Sequence, residues 1–428
     1  MMSVVLVGIG GWGWVYVDAL LDAAAQHGCR FVGAVDPYPQ GCKRLGELRA
    51  RGIAIYPTLQ AFYAAAGTAD LAVIASPPHC HVEHACTALR HGSHVLCEKP
   101  VACSLAGVGE IARARDAAKR RVAIGYQWSF SAAVRRLKRD VAEGRFGAAI
   151  RFRTLVQWPR GDEYYRRNSW AGRVTDDAGA PVLDSPLNNA CAHFVHNALY
   201  VLGDEPDASA IPLAVQGELY RANRIENYDT AVMRCRMDGG AEMLFAVSHA
   251  TAQRLGPRLE YEFERGAVRY DQEAAPRLVA QFDDGTTCDY GDPSAGGFAK
   301  KLWDTVHALR ANVPLPCGAE AAGAHTACIV AVQQCVERIG EFPPDLLTRG
   351  ETAGGAMTTV NGLEGHLEAC YHSGRLPHEL GVSWARPAIA VPVAPSARGD
   401  SSRPPDRRVP SVSISVPPTS SRRRPWCV

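Results

Sequence analysis

Val4-Val5-Leu6-Val7 runs straight into Gly8-Ile9-Gly10-Gly11-Trp12-Gly13, and an apolar stretch from Trp14 to Ala25 follows. No other feature restricts the fold as much. Four apolar residues in a row read as a strand covered on both faces, as in a parallel sheet. The glycines fall at G-x-G-x-x-G and meet separate needs. Gly8 permits a tight turn, Gly10 lets a pyrophosphate approach the backbone, and Gly13 lets the next helix pack close to the strand. The helix start presents unpaired N–H groups and its positive dipole end to phosphates, with Ile9, Gly11 and Trp12 completing the cradle. A second apolar run, Phe31 to Val35, ends in Asp36, about 20 residues beyond the glycines, where a carboxylate can accept both ribose hydroxyls of an adenosine. That carboxylate also repels a 2′-phosphate, so NAD is expected and NADP is disfavoured.

From residue 1 to 126 strand and helix patterns alternate, with strands at 3–8, 30–36, 70–75, 94–98 and 121–125. Alternation of this kind implies a doubly wound parallel sheet with its ligand beyond the carboxyl ends of the strands. From 127 to 380 the texture differs, with strand-like runs at 148–158, 213–221, 228–237, 241–249, 258–264, 266–271 and 277–283. Short turns between them argue for an α+β domain with a largely antiparallel open sheet. Helices are expected at 130–144, 189–202, 297–312, 318–340 and 352–374, covering one sheet face and leaving the other free. A free face makes a homodimer or homotetramer plausible. From 385 to 428 the chain turns to Pro, Ser and Arg without a periodic apolar face, which predicts a disordered tail.

A net charge of +2 on 428 residues gives no support to electrostatic binding of nucleic acid. No apolar run reaches membrane-spanning length, and no signal peptide precedes the first strand, so the cytoplasm is the expected compartment. The 14 cysteines are scattered without a C-x-x-C pair, and are read as small hydrophobes rather than a disulfide frame.

The fourth strand ends Cys97-Glu98-Lys99-Pro100. A charged pair is costly inside a sheet and must face the cleft. Lys99 would then direct an ammonium at a bound substrate, to stabilise an alkoxide or to carry its proton. Pro100 makes a cis or otherwise constrained peptide possible.

These motifs, with Pro77-Pro78 and His81, Gly92 before the fourth strand, and Gly125-Tyr126-Gln127-Trp128, resemble the glucose-fructose oxidoreductase / inositol dehydrogenase / MocA (Gfo/Idh/MocA) family. The resemblance covers about the first 380 residues, most strongly up to about 130. It implies a Rossmann domain for NAD or NADP, and a second domain that serves the sugar and the oligomer. It also implies hydride transfer at a secondary alcohol of a sugar or polyol, with Lys99 as the Glu-Lys-Pro lysine. The cofactor is then met by Gly8 to Gly13, Asp36, Ser76, Pro77, His81, Glu98, Lys99 and Gln127.

The family's second motif, Asp-x-x-x-His, is altered here. Its histidine falls on His193, the expected general base, while the Asp position holds Asn189 and the later Asp becomes His196. Asp184 lies upstream as a displaced carboxylate and a candidate catalytic group. The substrate is expected to meet Lys99, Trp128, Tyr165, Arg166, Asn189 and His193. Aromatic and basic residues between Trp158 and Trp170 suit a polyhydroxylated ligand, since rings cover apolar sugar faces and arginines bind hydroxyls or a carboxylate. His79, Cys80, His81, Glu83 and His84 could look like a metal cluster, but they open the helix after the third strand, and no metal is expected; the extra histidines read as an exposed helix start. Two functions remain: an NAD-dependent dehydrogenase, or a dinucleotide-binding sensor that keeps the fold but not turnover.

Overall fold

The structure is a computed structural model and describes residues 1–352 and 355–393. Six parallel strands form the first sheet: β1 (Met2–Val7), β2 (Cys29–Val35), β3 (Ile55–Tyr56), β4 (Leu71–Ile74), β5 (His94–Cys97) and β6 (Val122–Ile124). Their order is β3-β2-β1-β4-β5-β6. β3 escaped the sequence pattern because two residues carry no periodicity. The order reverses between β1 and β4, and the crevice opens at their carboxyl ends.

Val4 to Val7 are fully buried, as the unbroken apolar run requires. Gly8 turns with φ +87°, and a Cβ there would stand 2.7 Å from the Ala75 carbonyl oxygen. A Cβ on Gly13 would lie 2.1 Å from the Gly8 carbonyl oxygen. The helix Trp14–Ala23 therefore sits on β1 at a distance that only glycine allows. Gly13→Ala is expected to cost about 1–3 kcal/mol by overpacking and to weaken dinucleotide binding, as read by urea denaturation and NADH fluorescence.

The second sheet has ten strands: β7 (Ala149–Gln157), β8 (Ala214–Arg221), β9 (Thr230–Arg236), β10 (Glu242–Ser248), β11 (Leu255–Phe263), β12 (Gly266–Asp271), β13 (Ala275–Phe282), β14 (Thr287–Gly291), β15 (Gly340–Glu341) and β18 (Ala390–Pro392). Eight lie in the order β14-β13-β12-β11-β7-β10-β9-β8, with β15 and β18 both on the outer edge of β8. Pairing is antiparallel except at β7–β10 and β8–β15. A separate hairpin joins β16 (Leu347–Thr352) and β17 (Gly355–Val360).

Three expectations are corrected here. The sheet face expected to be free is covered in part: Leu155, Leu244 and Ala246 pack under Leu363, Leu367 and Cys370 of the helix Leu363–Ser373. The helix expected at 352–374 begins only at Leu363, because the β-branched run Thr358-Thr359-Val360 pairs as a strand. The tail expected to be disordered from 385 still contributes β18, which pairs with β8; residues 394–428 lie outside the described residues.

The other face of this sheet packs on the helices Ala132–Ala142, Ala192–Val201 and Ala319–Gln333. The helix Lys300–Ala311 behaves differently. Its Leu302 and Val306 join the core of the first sheet. The later part of the chain thus reaches back into the nucleotide-binding half. Among the described residues no helix is long and apolar enough to cross a membrane, and the 13 described cysteines are all free.

Candidate active site

A cleft of about 1090 Å³ lies beyond the carboxyl ends of the first sheet and is closed on its far side by the second. Gly10 and Gly11 line it. A Cβ on Gly10 would meet no protein atom closer than 3.9 Å, and one on Gly11 none within 4 Å. Packing does not demand glycine at either position, so the open space is a cradle for something else, and a pyrophosphate fits it. Ser76 and Pro77 form the neighbouring wall, and Gln127 and Trp128 the wall after β6. Bound there, NAD would be held by these loops and would supply the hydride acceptor. Ile9 and Gly13 are absent from the wall; Ile9 is fully buried and its N–H is taken by Asp36.

Asp36 reaches the wall, but it also ties down the glycine loop. Its Oδ2 accepts the Ile9 and Gly10 N–H groups at 3.0 and 3.3 Å, and its Oδ1 accepts that of Tyr38 at 2.8 Å. Oδ1, with one donor, keeps lone-pair capacity for a ribose hydroxyl.

Glu98 is buried behind the lysine and is the most heavily bonded carboxylate in the cleft. It accepts from the Tyr16 hydroxyl at 2.6 Å, from the Trp12 indole at 3.1 Å, and from the Lys301 ammonium. Burial alone would raise its pKa; the charge and hydrogen bond of Lys301 outweigh that and hold it below the usual carboxylate value. Sequence reasoning missed Lys301. It lies on the helix Lys300–Ala311, far from any motif, and only its 1% exposure marks it. The Lys99-Pro100 peptide is cis.

Lys99 donates to the Asn189 carbonyl oxygen at 2.7 Å and to its side-chain oxygen at 3.0 Å. The Asn189 amide in turn donates to Asp184 at 2.8 Å. Asp184 is 4% exposed and is also held by the Gly172 N–H at 2.7 Å and Arg167 at 3.3 Å. The displaced carboxylate thus stands behind Asn189, on the lysine's side of the site. Asp184 does not reach the cleft wall and connects to Lys99 through the Asn189 side chain. Burial brings the Lys99 pKa down to about 8, against the upward pull of Glu98.

His193 lines the same cleft as Lys99. Its Nδ1 is buried without a hydrogen-bond partner, and no carboxylate orients the ring. Burial, then the Lys99 charge, pushes its pKa well below the ordinary value, so the ring is neutral. His196 is buried behind it, stacked on Tyr126 at 3.9 Å and bonded to Ser129 at 3.0 Å.

The histidines after β4 do not form an exposed helix start, because the helix His81–Arg90 turns them inward. His81 and His84 are 1% and 4% exposed. His81 Nδ1 faces the Pro100 carbonyl oxygen at 2.7 Å, and Nε2 that of Ser76 at 2.9 Å. Burial lowers its pKa, and a neutral ring donates to one of these at a time. His81 therefore clamps two cofactor-side loops while lining the cleft itself.

Between Trp158 and Trp170 the contacts are shifted from those expected. The short helix Asp162–Arg166 points Tyr164 and Arg167 into the cleft. Tyr165 lies off the cleft wall with its hydroxyl buried and unpartnered, and Arg166 has a 74% exposed side chain paired to Asp162. Tyr164 and Arg167 share one side of this helical turn at i and i+3, and Arg160 reaches the same cleft from the extended segment before it.

Residues 2–126 match the sequence profile described as an oxidoreductase family with an NAD-binding Rossmann fold, and residues 134–269 match the GFO/IDH/MocA C-terminal domain. The chain belongs to this family. Its first domain is the family's NAD-binding half, and the second sheet its C-terminal half. Among relatives, inositol 2-dehydrogenase of Pseudomonas fluorescens is 32% identical over 37% of this chain and 48% of its own length. Glucose-6-phosphate 3-dehydrogenase of Bacillus subtilis is 30% identical over 30% of this chain and 35% of its own. The chain thus matches less than half the length of either relative. Among solved structures, the WlbA dehydrogenase of Bordetella pertussis, in complex with NADH and UDP-GlcNAcA, has a TM-score of 0.64 at 24% identity. The match covers 78% of this chain and 95% of that one, and shows a shared fold.

Proposed function

We propose that the protein is an NAD-dependent dehydrogenase that moves a hydride between the nicotinamide and a secondary alcohol or ketone of a sugar or polyol. The observation that carries this reading is Lys99: its pKa is brought to about 8, it is held by Asn189, and it faces the cleft of the glycine cradle. An ammonium has three N–H groups, and Asn189 takes two of them. The third position serves the substrate oxygen. A group titrating near the working pH suits proton transfer. Lys99 therefore takes over the proton that sequence reasoning assigned to His193. In oxidation the neutral amine accepts the hydroxyl proton; in reduction the ammonium returns it to the developing alkoxide. His193, neutral and weakly basic, orients the same oxygen.

The relatives' names, dehydrogenases of inositol and of glucose 6-phosphate, agree with a polyol or sugar substrate. The rival reading, a sensor without turnover, draws on the carboxylate missing at Asn189. Asp184 behind Asn189 supplies that charge, which favours the enzyme. A cytoplasmic homodimer or homotetramer completes the proposal.

Screening sugars, inositols and sugar acids with NAD, read by absorbance of the reduced cofactor, tests the reading. Absence of turnover across the panel in both directions would count against it. The pH dependence adds a sharper check. Oxidation needs the neutral amine, so its rate should climb with pH and level off above about 8. Reduction needs the ammonium, so its rate should fall above about 8. Parallel profiles in the two directions would remove Lys99 from the proton path.

A further inference from the structure

Trp158, just beyond β7, carries two guanidinium groups. The Arg254 head group lies 4.7 Å from the indole centroid and that of Arg160 lies 6.0 Å from it. The ring is fixed, because its N–H donates to the Gly256 carbonyl oxygen at 2.7 Å. It adjoins the reacting groups: Phe194, next to His193, packs edge-on against it at 5.6 Å. Trp158, Arg160 and Arg254 all line the cleft.

These two arginines are unanswered. Neither joins an ion pair among the described residues, whereas Arg167 beside them has Asp184. The Arg160 Nε is buried without a hydrogen-bond partner. Glu273 pulls on Arg254 electrostatically, but both its oxygens accept the Gly256 N–H, at 3.0 and 3.1 Å. His249 lies beneath, 1% exposed, with both ring nitrogens unpartnered. Burial, then Arg160 and Arg167, pushes its pKa well below the ordinary value, so the ring is neutral and adds no charge of its own. Aromatic rings at Trp158 and Tyr164 back the guanidiniums and leave their donor edges free. Like charges around one ring repel, and the partial burial of Arg160 deepens the penalty there; a bound anion relieves both.

We propose that Arg160 and Arg254 form a subsite for an anionic substituent, a carboxylate or phosphate, on the sugar or polyol substrate. Assigning the ligand as substrate rests on the dehydrogenase reading above; the anion preference itself does not. Trp158 covers the apolar face of the ring bearing that substituent, while Arg160 and Arg254 hold the charge at the end of the cleft away from the glycine cradle.

The test is calorimetry on the full chain loaded with NADH, titrated with D-glucose, D-gluconate, D-glucose 6-phosphate and inorganic phosphate. At least one organic anion should bind about 10-fold or more tightly than D-glucose, and the better of gluconate and glucose 6-phosphate identifies the charged group. Arg160→Gln and Arg254→Gln should each remove most of that preference while NADH affinity stays unchanged. Arg254 is exposed, so its variant tests the idea even if Arg160→Gln fails to fold. Equal binding of neutral and anionic probes, or a preference that survives both substitutions, overturns the subsite. Anion preference without turnover of any substrate would sink the dehydrogenase reading and leave the subsite standing. Turnover of neutral polyols with no gain from charge would do the reverse.

Discussion

Lys99→Ala lowers turnover by about 10³-fold and leaves NADH affinity within a factor of about 3, the range expected when a proton carrier and an oxyanion partner are lost together. The loss corresponds to about 4 kcal/mol of transition-state stabilisation. Nothing else in the cleft replaces the amine. His193 is neutral with a strongly depressed pKa, and Lys301 is committed to Glu98. The fold tolerates the change, because Glu98 keeps Lys301, Tyr16 and Trp12 as partners. Single-turnover absorbance with saturating cofactor separates the chemical step from binding. A variant as fast as the native protein would remove Lys99 from catalysis.

Lys301→Met is expected to destabilise the protein by about 3–5 kcal/mol, the cost of leaving a buried charge unpaired. The two side chains are 1% and 7% exposed, so solvent cannot take over from the lost partner. Glu98→Gln combined with Lys301→Met should recover most of the loss, because it removes the charge along with its partner. The pair also sets a dependence on acid. The Glu98 carboxyl is held below its ordinary value in the folded state. Its contribution is therefore present above the unfolded carboxylate value of about 4.3 and is lost as pH falls through the folded one. Melting curves between neutral and acid pH should show that loss in the native protein, reduced in the double variant. An unchanged melting temperature for Lys301→Met would show that the helix Lys300–Ala311 is docked by Leu302 and Val306 alone.

The two halves of the chain were legible to different degrees. In the first, β1, the glycine turn and the Glu-Lys-Pro segment were visible because strand, turn and motif are contiguous. In the second, seven strands stood out by alternation, but the edge strands β14, β15 and β18 and the hairpin β16–β17 did not. β15 and β18 have only two and three residues. β14 and β16 are interrupted by glycine and charged residues, and β17 falls in a stretch that reads as helix, so pairing rather than their own pattern holds them. The covered sheet face was equally hidden, since nothing local in Leu363, Leu367 and Cys370 names the strands they pack on.

The sequence by itself determined the parallel sheet, the cradle of Gly8, Gly10 and Gly13, and the placing of Lys99 at its mouth, because each follows from neighbours along the chain. Only the tertiary structure decided which groups complete the site. Asp184 stands behind Asn189, Lys301 answers Glu98 across about 200 residues, and Arg160 joins Arg254 around Trp158. Tyr164 and Arg167 displaced Tyr165 and Arg166 for the same reason. Charge pairing and the direction of a side chain depend on distance in space, and spacing along the chain carries no record of it.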